Sequence, residues 1–155
     1  MAPPTKKIIV VESSPSDREH LIASLANHYD VTAVSDYGEC EEVLEEGERD
    51  FDLAIADYLA NRAGLVNLIR DHQPNCAIIV LSDVTAMDAA EDALRKGAVG
   101  YLLKPLSTKQ LLIQVQYALK SVEERRREQD KPRRMAQLFV RDAQSETGDH
   151  LAISG

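Results

Sequence analysis

The stretch Ile-Ile-Val-Val-Glu-Ser-Ser-Pro-Ser-Asp-Arg-Glu, residues 8–19, decides the fold. Its first four residues are β-branched and apolar and read as a buried strand. Ser14 then stands as a helix N-cap, with Pro15 at the first helical position and Asp17 completing a capping-box pattern. The helix that opens there places Leu21, Ile22 and Leu25 on one face and is expected to run to about Asn27. Strand, short loop and helix in immediate succession make a βα unit.

The unit repeats along the chain. Apolar runs at residues 8–11, 31–34, 51–56, 77–81 and 101–103 each read as a buried strand. Between and after them lie segments of helical spacing: Cys40, Val43 and Leu44; Leu65, Leu68 and Ile69; Ala86, Ala89, Ala90, Ala93 and Leu94; and, from near Ser107, Leu111, Leu112, Val115, Ala118, Leu119 and Val122. Gly97 after Lys96 is a C-terminal stop for the fourth helix. The alternation implies right-handed βαβ crossovers and a parallel sheet, an α/β fold with five flanking helices.

At 155 residues the chain suits one hydrophobic core plus a tail. The pattern breaks after Val122: residues 123–134 carry no apolar face and extend the last helix as a solvated end until Pro132 interrupts it. Met135, Leu138, Phe139 and Val140 suggest one more short helix, and residues 144–155 a flexible end. The expected division is therefore a domain at 1–122 and a charged helical extension with a tail at 123–155. Residues 120–155 hold eight Lys/Arg against seven Asp/Glu, a net of +1, so residues 1–119 carry −9 against the whole chain's −8. An acidic body argues against direct nucleic-acid binding.

No apolar run approaches the roughly 20 residues of a membrane span, and the four apolar residues after Lys7 are too few for a secretory signal. A cytoplasmic protein is expected. Cys40 and Cys76 have no metal-like spacing and read as buried reduced thiols.

In open parallel sheets, ligands bind beyond the carboxyl ends of the strands. The residues at those ends are Glu12 and Ser13, Asp57, Ser82 and Asp83, and Lys104 with Pro105. With a strand order 2-1-3-4-5, the first and third strands adjoin and bring Glu12 to Asp57. Carboxylates, a hydroxyl and a lysine in one pocket suit phosphoryl transfer to a carboxylate. A weak anionic nucleophile meets an anionic phosphate there, so a lysine and a divalent cation such as Mg2+ are needed to offset the charge.

These residues carry a family resemblance. Residues 8–19, Phe-Asp-Leu-Ala-Ile-Ala-Asp at 51–57, Ile-Ile-Val-Leu-Ser at 78–82 and Lys-Gly-Ala-Val-Gly-Tyr-Leu-Leu-Lys-Pro-Leu at 96–106 resemble the receiver domain of two-component response regulators, of the chemotaxis type. The match covers residues 7–122. The resemblance implies a flavodoxin-like, doubly wound sheet of order 2-1-3-4-5. It implies Asp57 as phosphoacceptor, Lys104 as the lysine that pairs with the phosphate, and Ser82 with Tyr101 as a switch pair that remodels the face of the fourth helix, fifth strand and fifth helix. It also implies a Mg2+ site formed by Glu12, Asp57 and the backbone carbonyl of Leu59.

Three departures touch that site. Ser13 stands where the family has a second acid, Asp83 where it has a small residue, and Ala60-Asn61 where it has Met-Pro. Three readings of the metal site follow: Glu12 ligates through its longer side chain, Asp83 supplies the missing carboxylate, or no metal binds. The resemblance implies a phosphorelay receiver served by a histidine kinase or phosphotransfer protein, acting on an output protein, with a homodimer through the last helix and fifth strand as a further expectation. The alternative is a phosphorylation-independent pseudo-receiver, an interaction or dimerisation module. Enzymatic readings fare worse. A flavin-phosphate loop wants glycine where Pro15 removes an amide, and an aspartyl phosphatase of the haloacid dehalogenase type wants an acid where Leu59 stands.

Overall fold

The computed structural model describes residues 5–154 apart from 48, 58–63 and 84–86; for 87–90 and 141–154 it describes the backbone alone. The element order is β1 (Lys7–Val11), α1 (Pro15–Leu25), β2 (Asp30–Val34), α2 (Tyr37–Glu46), β3 (Leu53–Asp57), α3 (Leu65–His72), β4 (Ala77–Ser82), α4 (Met87–Arg95), β5 (Gly100–Leu103) and α5 (Thr108–Ser154). All strand pairings are parallel, in the order β2-β1-β3-β4-β5. This is the flavodoxin-like sheet expected from the sequence.

Period-2 alternation sorts each strand onto two cores. Ile9, Val11, Ala54, Ala56, Ile78 and Val80 face one side, packed with Cys40 and Leu44 of α2 and Leu65, Leu68 and Ile69 of α3. Ile8, Val10, Leu53, Ile55, Ile79 and Leu81 face the other, against Leu21 and Leu25 of α1 and Leu111, Val115 and Leu119 of α5. The central strands β1, β3 and β4 are therefore buried on both faces, as parallel sheets require. The outer two differ from the expectation of burial: β2 and β5 are mostly half-exposed, and Leu103 keeps 43% of its surface. Each has a neighbour on one side only.

Local chemistry sets the helix ends. Ser14 Oγ accepts from the Asp17 amide at 3.4 Å, and Pro15 begins α1. The capping box is only half made, because the Asp17 carboxylate is engaged elsewhere, with Lys104. In α2, Asp36 caps the Glu39 amide at 2.9 Å, and the Glu39 carboxylate reaches back to the Ser35 amide and hydroxyl. Ser107 Oγ caps α5 by accepting from the Gln110 amide. Cys40 and Cys76 are free and buried, and burial pushes the Cys40 thiol up to about 12.

Two expectations for the C-terminal part are corrected. Pro132 does not interrupt the helix, and residues from 144 to 154 are helical: α5 continues to Ser154 with Pro132 inside it. A proline costs one amide donor and crowds the carbonyl four residues before it. On a helix exposed all around, water can satisfy the Glu128 carbonyl that Pro132 leaves without an amide donor. The chain divides into two compact units, Met1–Val122 and Glu123–Gly155. In the second, Met135, Leu138, Phe139 and Val140 are exposed. Among the described residues, no helix is long and apolar enough to cross a membrane. Ala60, Asn61 and Ala86 lie outside the described residues.

Gly97 ends α4 with φ +101°, while its amide donates to Leu94 and the Ala98 amide to Ala93. A Cβ there would fall 1.6 Å from Arg70 Nη1, but a guanidinium can swing aside, whereas the backbone cannot relax. Gly97→Ala is expected to cost about 1–2 kcal/mol from the left-handed backbone. Urea midpoints should show that loss equally in an Arg70→Ala background, because the cost lies in φ and not in the contact.

Candidate functional site at the strand tips

Register places the site. Val11 pairs with Ala56, so Glu12 and Asp57 follow at equal height on adjacent strands; Asp57 pairs with Leu81, and Ser82 with Leu103. The Lys104 amide then donates to the Ser82 carbonyl at 2.8 Å, which anchors the backbone before the cis Lys104–Pro105 bond. Glu12, Asp57 and Ser82 are all buried. Arg18 of α1 donates to the Glu12 carbonyl at 2.8 Å and pins the β1–α1 turn over them.

One ammonium joins the cluster. Lys104 Nζ hydrogen-bonds Glu12 Oε1, donates to Asp17 Oδ2 at 3.1 Å and lies 3.7 Å from Asp57 Oδ2. Burial works against the lysine's charge, but hydrogen bonds to Glu12 and Asp17 and the field of Asp57 outweigh it and hold Lys104 above its ordinary range. Burial is also the largest influence on Glu12, which is pushed up to about 7; Lys104 pulls it down and the adjoining Asp57 pushes it further up. Asp17 is held below its ordinary value, chiefly by the hydrogen bond from Lys104.

The structure thus brings together Glu12, Asp57 and Lys104, with Ser82 at the neighbouring strand end and half-buried Tyr101 packed against the core on the same sheet face as Val80. Ser13 and Asp83 are exposed. Leu59 lies outside the described residues. Sequence reasoning missed Asp17 as a member: its capping pattern absorbed the residue, and only its place one helical turn beyond Ser13 hinted that it could reach the cleft.

Three carboxylates share one ammonium here, so the cleft is acidic and suits a cation. The donor chemistry fits magnesium. Glu12 Oε2 is fully buried with no hydrogen-bond partner among the described residues, and Asp57 offers a second hard carboxylate. Among the described residues no three His, Cys, Asp or Glu form a metal cage. Magnesium needs none, since it commonly takes one or two carboxylates and completes its shell with water and phosphate oxygens.

Residues 8–116 match the family model described as the response regulator receiver domain. The chain belongs to that family. Among curated relatives, the two-component response regulator-like protein APRR3 of Arabidopsis thaliana is 32% identical over 111 residues, 68% of this chain and 22% of that protein. A 3',5'-cyclic-nucleotide phosphodiesterase, regA of Dictyostelium discoideum, is 27% identical over 97% of this chain and 19% of its own length. The receiver chain thus spans about a fifth of these relatives. A response regulator structure from Thermotoga maritima superposes with a TM-score of 0.69 at 24% identity, covering 76% of this chain and 99% of that one, which supports the receiver fold.

The raised Glu12 carboxyl fixes a pH dependence. Unfolded, it loses its proton near the ordinary 4.5; folded, near 7. Between those values the native state binds more protons, so this contribution is complete below about 4.5 and lost as pH rises through about 7. Asp17 contributes in the opposite sense, in a window that lies below 3.8, so the two do not overlap. In urea titrations without divalent cation, stability should fall from pH 5 to 7.5, and Glu12→Gln should flatten that fall.

Proposed function

We propose that the receiver accepts a phosphoryl group on Asp57 from a histidine kinase or phosphotransfer protein and uses the event to switch a protein-interaction face. The observation that carries this reading is the Lys104 ammonium 3.7 Å from the Asp57 carboxylate inside a buried acidic cleft. Attack of an Asp57 oxygen on phosphorus breaks the bond to the donor's leaving group, which departs with the electron pair. Lys104 pairs with one phosphoryl oxygen and Ser82 hydrogen-bonds another.

Magnesium held by Glu12 and Asp57, with the Leu59 carbonyl, would offset charge between nucleophile and phosphate. Ser13 and Asp83 are exposed, so Glu12 is the better ligand of the three candidates. Ser82 moving toward the phosphoryl group, with Tyr101 turning inward, would remodel the face of α4, β5 and α5. Leu103, Ile113 and Tyr117 are exposed on β5 and α5, which suits an output protein or a second copy. Residues 1–122 are read as the receiver domain and residues 123–155 as a charged helical extension of the chain beyond it. Catalysis is confined to the domain's own phosphorylation and dephosphorylation, and a cytoplasmic location goes with this reading.

A phosphorylation-independent interaction or dimerisation module is the second reading. It is favoured by Ser13 in place of an acid and by Lys104 already bonded to Glu12 and Asp17. Incubation with acetyl phosphate and magnesium should yield a phosphoryl adduct by intact mass, acid-stable and base-labile, that is lost in Asp57→Asn. A mass unchanged by the incubation, as in Asp57→Asn, leaves only the second reading.

A further inference from the structure

Asp17 lies outside the strand tips, yet it holds Lys104 more closely than Asp57 does: 3.1 Å against 3.7 Å. The first distance is a hydrogen bond; the second is an ion pair beyond hydrogen-bond range. Asp17 is no wandering surface carboxylate, because α1 is tied to the segment after β5 along one stripe. Asp17 meets Lys104, His20 Nε2 lies 3.1 Å from the Leu106 carbonyl, and Ser24 Oγ lies 2.9 Å from Thr108 Oγ1. Positions 17, 20 and 24 are spaced three and four apart, the interval of one helix face. Beside the lysine, on the side of Asp17, lies a cavity of about 280 Å³ lined by Asp17, His20, Leu21, Leu81, Lys104, Pro105 and Leu106.

We propose that Asp17 is a positioning residue that competes with Asp57 for Lys104 and holds the ammonium in reserve until a phosphoryl group arrives. This rests on the reading of Asp57 as phosphoacceptor. Converting the Asp57 carboxylate to an acyl phosphate raises the local charge from one negative unit to about two. The charge on Asp17 is unchanged, so the balance of attraction tips toward Asp57 only as transfer proceeds. Detaching Lys104 from Asp17 is then part of the barrier to phosphorylation. It is no part of the later hydrolysis, in which water attacks the acyl phosphate and Asp57 leaves, because that step starts with the lysine already on the phosphate.

Asp17 is half exposed, with 48% of its side chain accessible, so its hold on Lys104 is modest. For such a pair, Asp17→Asn should speed accumulation of the phosphorylated form by about two- to fivefold. Adduct growth with acetyl phosphate and magnesium, followed by intact mass, should show this acceleration with hydrolysis unchanged. Asp17→Glu, which keeps the charge within reach, should behave as the native protein. In a Lys104→Gln background, Asp17→Asn should give no acceleration.

If the native protein forms no Asp57-dependent adduct, the phosphoacceptor reading fails and takes the competition with it. If the adduct forms but Asp17→Asn leaves its rate unchanged or slower, the competition alone is refuted. Acceleration that survives in the Lys104→Gln background refutes it too, since Asp17 would then be acting on the incoming anion.

Discussion

A single ammonium shared among Glu12, Asp17 and Asp57 is the constraint around which this molecule is arranged. Carboxylates that close repel one another, and burial makes each costlier to ionise. Lys104 answers part of that cost, but it is one charge against three. The remainder appears as a Glu12 proton retained to about neutral pH and as a buried Glu12 oxygen without a partner among the described residues. A site left with excess negative charge attracts cations, and the same excess is an obstacle to an anionic phosphoryl donor. Both features belong to the chemistry proposed for Asp57.

The sheet makes this arrangement rigid where it must be. β1, β3 and β4 are buried on both faces by Ile, Val, Leu and Ala side chains, so the backbones that carry Glu12, Asp57 and Ser82 are held between two cores. Lys104 follows an edge strand, β5, which is half-exposed. Local stability tends to be lower where fewer apolar contacts are buried. The charge event proposed at Asp57 would therefore have a softer neighbour on which to act, through the long Lys104 side chain that reaches from the edge strand to the middle.

The sequence carried much of this. Apolar runs separated by helical spacings gave the five strands, the five helices and the parallel sheet, because burial and backbone periodicity are local properties. Glu12, Asp57, Ser82 and Lys104 were legible from their position at strand ends. Ligation by Glu12 and ligation by Asp83 stood as alternatives in the sequence, and the exposure of Asp83 sets it apart from the buried Glu12. Pro132 was misread because its helix-breaking tendency was weighed without the solvent that relieves it along an exposed helix.

What the sequence determined by itself was the alternation of elements and the residue types delivered to the sheet's carboxyl edge, since both follow from periodicity and chain order. What only the tertiary structure decided was which carboxylates Lys104 holds and how tightly. Asp17 and Lys104 are separated by 87 positions, and their contact depends on α1 docking beside the segment that leaves β5. No local pattern encodes that docking: a capping motif explains the presence of Asp17 equally well whether its carboxylate turns back to its own helix or outward to a distant ammonium.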